Sequence, residues 1–163
     1  MKIPATKSYS PSDCFKGKNI YYRDSDIDNW LPKEMPAIPE GDTKMFVTKS
    51  EQTFKQMFKD FTGSEEIKDE HIFSLKQIEA ILEEPEKYEL QTNGYANFFP
   101  ISKEYMLCAY RDDDGQWPAF VDRLDRDRRW YADRRLLLRN FSLGTLDTLP
   151  LILIINGVTY KRQ

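Results

Sequence analysis

The spacing of apolar positions changes character twice along this chain. Phe54, Met57, Phe58 and Phe61 stand at i, i+3, i+4 and i+7, the single apolar stripe of an amphipathic helix. Ser50 reads as its N-cap, with Glu51 near the positive end of the helix dipole and Gly63 as its stop. Leu75, Ile78, Ile81 and Leu82 form a second stripe. It opens on Ser-Leu-Lys-Gln at 74–77, the pattern of a capping box, and ends at Pro85.

Around these helices the period shortens to that of strands. TKMFVTK at 43–49 alternates and is β-branched enough for a short strand. EYMLCAYR (104–111), a DDDGQ turn and WPAFVDRL (117–124) predict a hairpin. In its second strand Trp117, Ala119, Val121 and Arg123 share one face, while Pro118, Phe120, Asp122 and Leu124 share the other. WYADRRLLLR (130–139) is expected to add a third strand. LILII, Asn156–Gly157 and VTYKR close the chain as a tight hairpin, since both turn residues tolerate positive φ.

The first 42 residues hold no clear period and five of the nine prolines. They predict an extended arm with a short strand at NIYYR (19–23). Phe15, Ile20, Trp30 and Leu31 require that arm to pack on the rest. The expectation is a single α+β domain over 1–163. Its parts are an irregular, Pro-rich N-terminal arm (1–42), two amphipathic helices in a helical part (43–90) and a mainly antiparallel C-terminal sheet (95–163).

Composition narrows the class. Of 163 residues, 13% are aromatic, enough large side chains for a core and too many for a disordered chain. The longest apolar run, LPLILII at 149–155, is too short to cross a bilayer, so no membrane partner is expected. The opening 18 residues lack the apolar run of a secretory signal. Cys14 and Cys108 lack metal-type or redox-type spacing, which predicts reduced thiols in a cytoplasmic protein.

Charge is distributed unevenly. Residues 1–40 balance, residues 41–100 carry seven Lys, no Arg and twelve acids, and residues 101–163 carry eleven bases against nine acids. Nine of those eleven are Arg, whose planar fork suits paired contacts with carboxylate or phosphate.

Most catalytic and cofactor chemistries find no foothold. His71 is the only histidine, so multi-His metal sites are excluded, and it reads as a boundary residue without a nucleophile elbow to serve. Seven glycines form neither GxxxxGK[ST] nor GxGxxG, so no phosphate-cradling loop is expected. Asp24, Asp26 and Asp28 keep the alternation of a calcium loop. Asn29, Pro32 and Met35 spoil the rest of that pattern, and an acidic turn is the simpler reading. Asp112–Asp113–Asp114–Gly115 is likewise a turn, and PAIP at 36–39 an extended connector. No catalytic residue, cofactor or metal site is assigned, and the balance leans against an enzyme.

The distinctive segment is LDRDRRWYADRR at 124–135, with five arginines, three aspartates, a Trp and a Tyr. Its alternating signs predict self-neutralising pairs across neighbouring strands. Its surplus is the residue set of protein hot spots and of single-strand nucleic-acid platforms. The binding surface is therefore assigned to Arg123, Arg126, Arg128, Arg129, Trp130, Tyr131, Arg134 and Arg135. The expected function is protein–protein contact, with a protein partner or self-association into a homo-oligomer. Nucleic-acid binding through the same patch is the alternative. An isoelectric point near 5.3 lacks that alternative's usual basic footprint. An enzyme with a carboxylate-based site hidden from sequence is the third reading.

Overall fold

The computed structural model of the chain describes residues 1–140, 152–155 and 158–161. Strands form where the sequence alternates or runs apolar: β1 (Lys2–Ile3), β2 (Ile20–Arg23), β3 (Gly41–Val47), β4 (Asn97–Pro100), β5 (Tyr105–Ala109), β6 (Trp117–Arg123) and β7 (Arg135–Asn140). Helices are α1 (Asp26–Trp30), α2 (Phe54–Thr62) and α3 (Leu75–Glu83). The seven strands make one sheet in the order β1-β3-β7-β4-β5-β6-β2, so the fold is mixed α+β. Strands β8 (Ile152–Ile155) and β9 (Val158–Lys161) pair antiparallel as a separate ladder. The Asn-Gly turn expected between them lies outside the described residues.

The sheet is mixed: four of its six ladders are antiparallel, as expected, and two are parallel. β7 enters between β3 and β4, antiparallel to the first over Val47↔Arg135 to Asp42↔Asn140 and parallel to the second at Phe98↔Leu136. β2 pairs parallel with β6. The reason is visible in the side chains. Leu136, Leu137 and Leu138 are all buried, as are Phe98 and Phe99, so these strands are covered on both faces and belong in the middle of the sheet.

Alternate residues divide between two cores. Phe98, Met106, Cys108, Leu136 and Leu138 pack under Phe54, Met57 and Phe58 of α2. Phe99, Leu107, Trp117, Ala119, Val121 and Leu137 face α3 and the N-terminal segment. The expected face division of β6 is therefore observed.

Helices α2 and α3 both begin at capping boxes. Ser74 accepts from the Gln77 amide and the Gln77 side chain accepts from the Ser74 amide, as predicted. The other box sits at Thr53 and Gln56, so Ser50 is not the N-cap of α2. The two residues between are diverted because Gln52 exchanges both backbone hydrogen bonds with Trp130, at 2.9 and 2.8 Å. Gly63 closes α2 at φ 79°.

The N-terminal segment is largely irregular but tied down along its length, and the short strand expected at 19–23 forms as β2. β1 pairs with β3, and isolated bridges join Thr6 to Ile38 and Tyr9 to Met35. The Tyr9 hydroxyl accepts from the Leu75 amide, and Gln77 Nε2 donates to the carbonyls of Pro4 and Pro39, so the segment is fastened to the start of α3. The acidic stretch tested as a calcium loop forms α1. The Asp28 carboxylate takes two bonds from the Arg23 guanidinium, at 2.7 and 2.8 Å, which holds its pKa below the usual carboxylate value. No described helix is long and apolar enough to cross a membrane.

Candidate binding surface and edge pocket

β6 is the last strand that β2 reaches, and only for part of its length. β2 pairs with residues 117–119 and then turns away into α1, leaving the amides of Val121 and Arg123 on an open edge. Two carboxylates stand where a strand would. Asp24 Oδ2 accepts from the Val121 amide at 3.1 Å, and Asp122 Oδ1 accepts from the Arg123 amide at 2.8 Å. Satisfying an edge with side chains closes it to pairing with a foreign strand.

Asp122 is the unexpected member. It occupies the α2 face of β6, in the row of Phe120 and Leu124, with its side chain only 7% exposed. Burying a carboxylate is costly unless cations attend it. Arg126 Nη1 lies 3.1 Å from Oδ1, and Arg128 Nη1 lies 3.9 Å from Oδ2. That last separation is too long for a hydrogen bond, and Oδ2 has no hydrogen-bond donor among the described residues. Burial and the adjacent Asp122 charge push the Cys108 thiol, in the same row, well above its ordinary pKa, so it is an unreactive core side chain.

The arginine-rich segment is not a strand through Trp130 and Tyr131, and its charges do not pair across strands. After the Leu124 amide bonds to the Glu104 carbonyl, residues 125–129 form an exposed loop. Its ion pairs are mainly local: Arg123 makes two bonds to Asp125, and Arg126 and Arg128 share Asp122. Arg129 instead reaches the Glu51 carbonyl at 2.8 Å and the Glu51 carboxylate at 3.6 Å.

Trp130 ends the loop. Its backbone is bridged to Gln52, and its ring lies 4.8 Å from that of Phe98 and 5.5 Å from that of Phe54. Tyr131, the next residue, is 71% exposed. Asp133 takes positive φ (63°), and its amide donates to the Thr48 carbonyl, turning the chain into β7. Arg134 lies over the Tyr95 ring at 4.3 Å, and Arg135 is half-buried at the start of β7. The eight residues assigned from sequence therefore divide. Arg123, Arg126, Arg128, Arg129 and Tyr131 share the exposed loop, Trp130 is its anchor, and Arg134 and Arg135 belong to its return.

Comparison with known protein families, curated proteins and solved structures finds no match.

Beside the loop, the open end of β6 borders a pocket of about 430 Å³. Asp122, Arg126, Arg128 and Trp130 form one side, and Asp24, Asp26 and Trp30 of the β2–α1 corner the other. Tyr110 and Phe120 complete the wall, with the Phe120 ring tilted against that of Tyr22 at 4.8 Å. The Arg128 guanidinium lies over the Trp130 ring at 4.1 Å, a cation–π contact. No cluster of three or more His, Cys, Asp or Glu able to hold a metal ion occurs among the described residues. Sequence reasoning missed Asp122, Asp24 and the pocket. The available signal was a charged residue at an inward position of an otherwise apolar strand row.

Proposed function

We propose that this chain is a non-enzymatic recognition protein that binds other proteins through the loop from Arg123 to Arg135. The observation that carries the reading is the pairing of a rigid anchor with an exposed tip. Trp130 is fixed by two backbone bonds and two aromatic neighbours, and Tyr131 stands 71% exposed directly after it. A pre-ordered loop loses little entropy on binding, and Tyr, Trp and Arg are the side chains that dominate protein interfaces.

Nucleic acid is the weaker alternative. Phosphate binding draws on uncompensated cations, whereas Arg123, Arg126, Arg128 and Arg129 each have a carboxylate of this chain within 3.9 Å.

A photoreactive phenylalanine analogue at position 131 tests the surface. On irradiation in extract it should give one discrete protein adduct that fades when Arg129 is replaced by Ala, while the same probe at Tyr21, exposed on β2, should not give it. An adduct to a second copy, matched by a dimer in light scattering, assigns the partner as self. Equal, diffuse labelling from both positions, or tight salt-dependent binding of oligonucleotides instead, would overturn the reading.

A further inference from the structure

We propose that the pocket at the open end of β6 is a binding site for an organic cation, a guanidinium or alkylammonium group carried on a short apolar stem. The proposal does not depend on the loop making a protein contact.

Three observations centred on Asp122 and its surroundings point to positive charge. The first is Asp122. Its side chain is more than nine-tenths buried on a pocket wall, and its Oδ2 has no hydrogen-bond donor among the described residues. A buried carboxylate oxygen in that state favours a ligand that brings N–H groups, and a charge-assisted bond is the strongest it can form.

The second is the balance of the lining. Asp24, Asp26 and Asp122 outnumber Arg126 and Arg128, so an anion entering the pocket meets a net negative wall. Asp24 already serves two backbone amides, of Val121 and Asp26, but no cation of the structure pairs with it among the described residues. Arg23 attracts it from beyond ion-pair distance, and Asp24 also lines the pocket. The remaining walls include the side chains of Trp30, Tyr110, Phe120 and Trp130, aromatic rings of the kind that attract cations.

The third is that the chain already places a guanidinium there, imperfectly. Arg128 lies over Trp130 at 4.1 Å yet stays 3.9 Å from Asp122 Oδ2, with its side chain 60% exposed. It stacks without completing the hydrogen bond. A cation approaching from the pocket, with its stem against Phe120, can do both. Arg128 then acts as a resident competitor that a ligand displaces toward solvent.

The guanidinium has two sources, a free small molecule or an arginine side chain of another protein, and calorimetric titration separates them. Agmatine represents the first. A capped Gly-Arg-Gly peptide represents the second, and the matching citrulline peptide is the neutral isostere. The guanidinium probes should bind saturably, and the citrulline peptide at least tenfold more weakly. Arg128→Ala should tighten binding severalfold by removing the competitor, and Asp122→Asn should weaken it tenfold or more.

Asp122 also supports the Arg123 amide, so Asp26→Asn, at the half-exposed corner, provides a second variant that keeps the fold. It should weaken binding severalfold. Tighter binding of the peptide than of agmatine assigns a partner's arginine, and the reverse order a free cation. Absence of saturable binding to both the wild type and Arg128→Ala overturns the site. Equal binding of the citrulline peptide, or binding unchanged in a folded Asp26→Asn, does the same. The photo-adduct at position 131 reports the loop and this titration the pocket, so the two readings fail separately.

Discussion

His71 shows how a residue's surroundings set what it does to stability. The ring is 6% exposed, Nδ1 has no hydrogen-bond partner among the described residues, and desolvation lowers its pKa below the ordinary value of about 6.5. Glu70, 3.6 Å from Nε2, opposes that shift only in part. The folded state thus keeps His71 neutral where the unfolded chain has begun to take up a proton. Stability from this group is fully present above about pH 6.5 and declines as pH falls below it toward the folded value. Urea midpoints should drop between pH 7 and pH 5, and His71→Gln should flatten that slope, because no other histidine exists in the chain. An unchanged slope in the variant would place the ring in solvent. Asp28 and Asp125, both held low by arginine partners, lose their contributions at more acid pH and do not blur the window.

At the scale of elements, local chemistry decided what could be read. Ser74 and Gln77 form a capping box because both partners lie within one turn, so four residues of sequence suffice to recognise it. The α2 start lies at Thr53 rather than Ser50 for the opposite reason, since the bridge that holds Gln52 comes from Trp130, seventy-eight positions away. The arginines and aspartates of the segment fit cross-strand pairing on sequence alone, yet residues 125–129 form a loop with local partners. The local partners, Asp122 above all, are set by a sheet edge that only the parallel docking of β2 leaves open. The two caps also make unequal predictions. Thr53→Ala should cost about 1 kcal/mol, an ordinary lost cap. Ser74→Ala should cost about 2 kcal/mol, because the buried Ser74 Oγ also accepts from Thr6 Oγ1 at 3.0 Å and fastens the N-terminal segment. Urea unfolding of both variants should rank them in that order, and equal losses would mean the Thr6 contact contributes nothing.

Across the whole molecule, the sheet depends on a return that alternation alone does not announce. β7 follows β6 in sequence yet lies between β3 and β4, and it can do so because Leu136–Leu138 offer apolar side chains to both cores. An unbroken apolar triplet and the Phe98–Phe99 pair were the legible marks of central strands, but nothing in them specifies which neighbours they take. The residue that ties this centre to the margin is Arg139. It is fully buried on β7, and its Nη2 donates to the carbonyls of Pro39 at 2.7 Å and Glu40 at 3.3 Å. Gln77 of α3 reaches the same Pro39 carbonyl, so the 39–40 connector is gripped from the sheet and from the helix together. Burial lowers the Arg139 pKa by desolvation, and a guanidinium kept in such a place must be structural rather than one more member of the surface patch. Arg139→Met keeps the stem and removes the donors, leaving two carbonyls to find other partners. It should destabilise the fold by about 2–3 kcal/mol. Amide exchange should quicken at Thr6 and Ile38, whose bridge lies one residue from Pro39. Arg123→Met, on the exposed loop, should leave both the urea midpoint and that exchange unchanged. If the two substitutions behaved alike, Arg139 would not be the link between the central strand and the N-terminal segment.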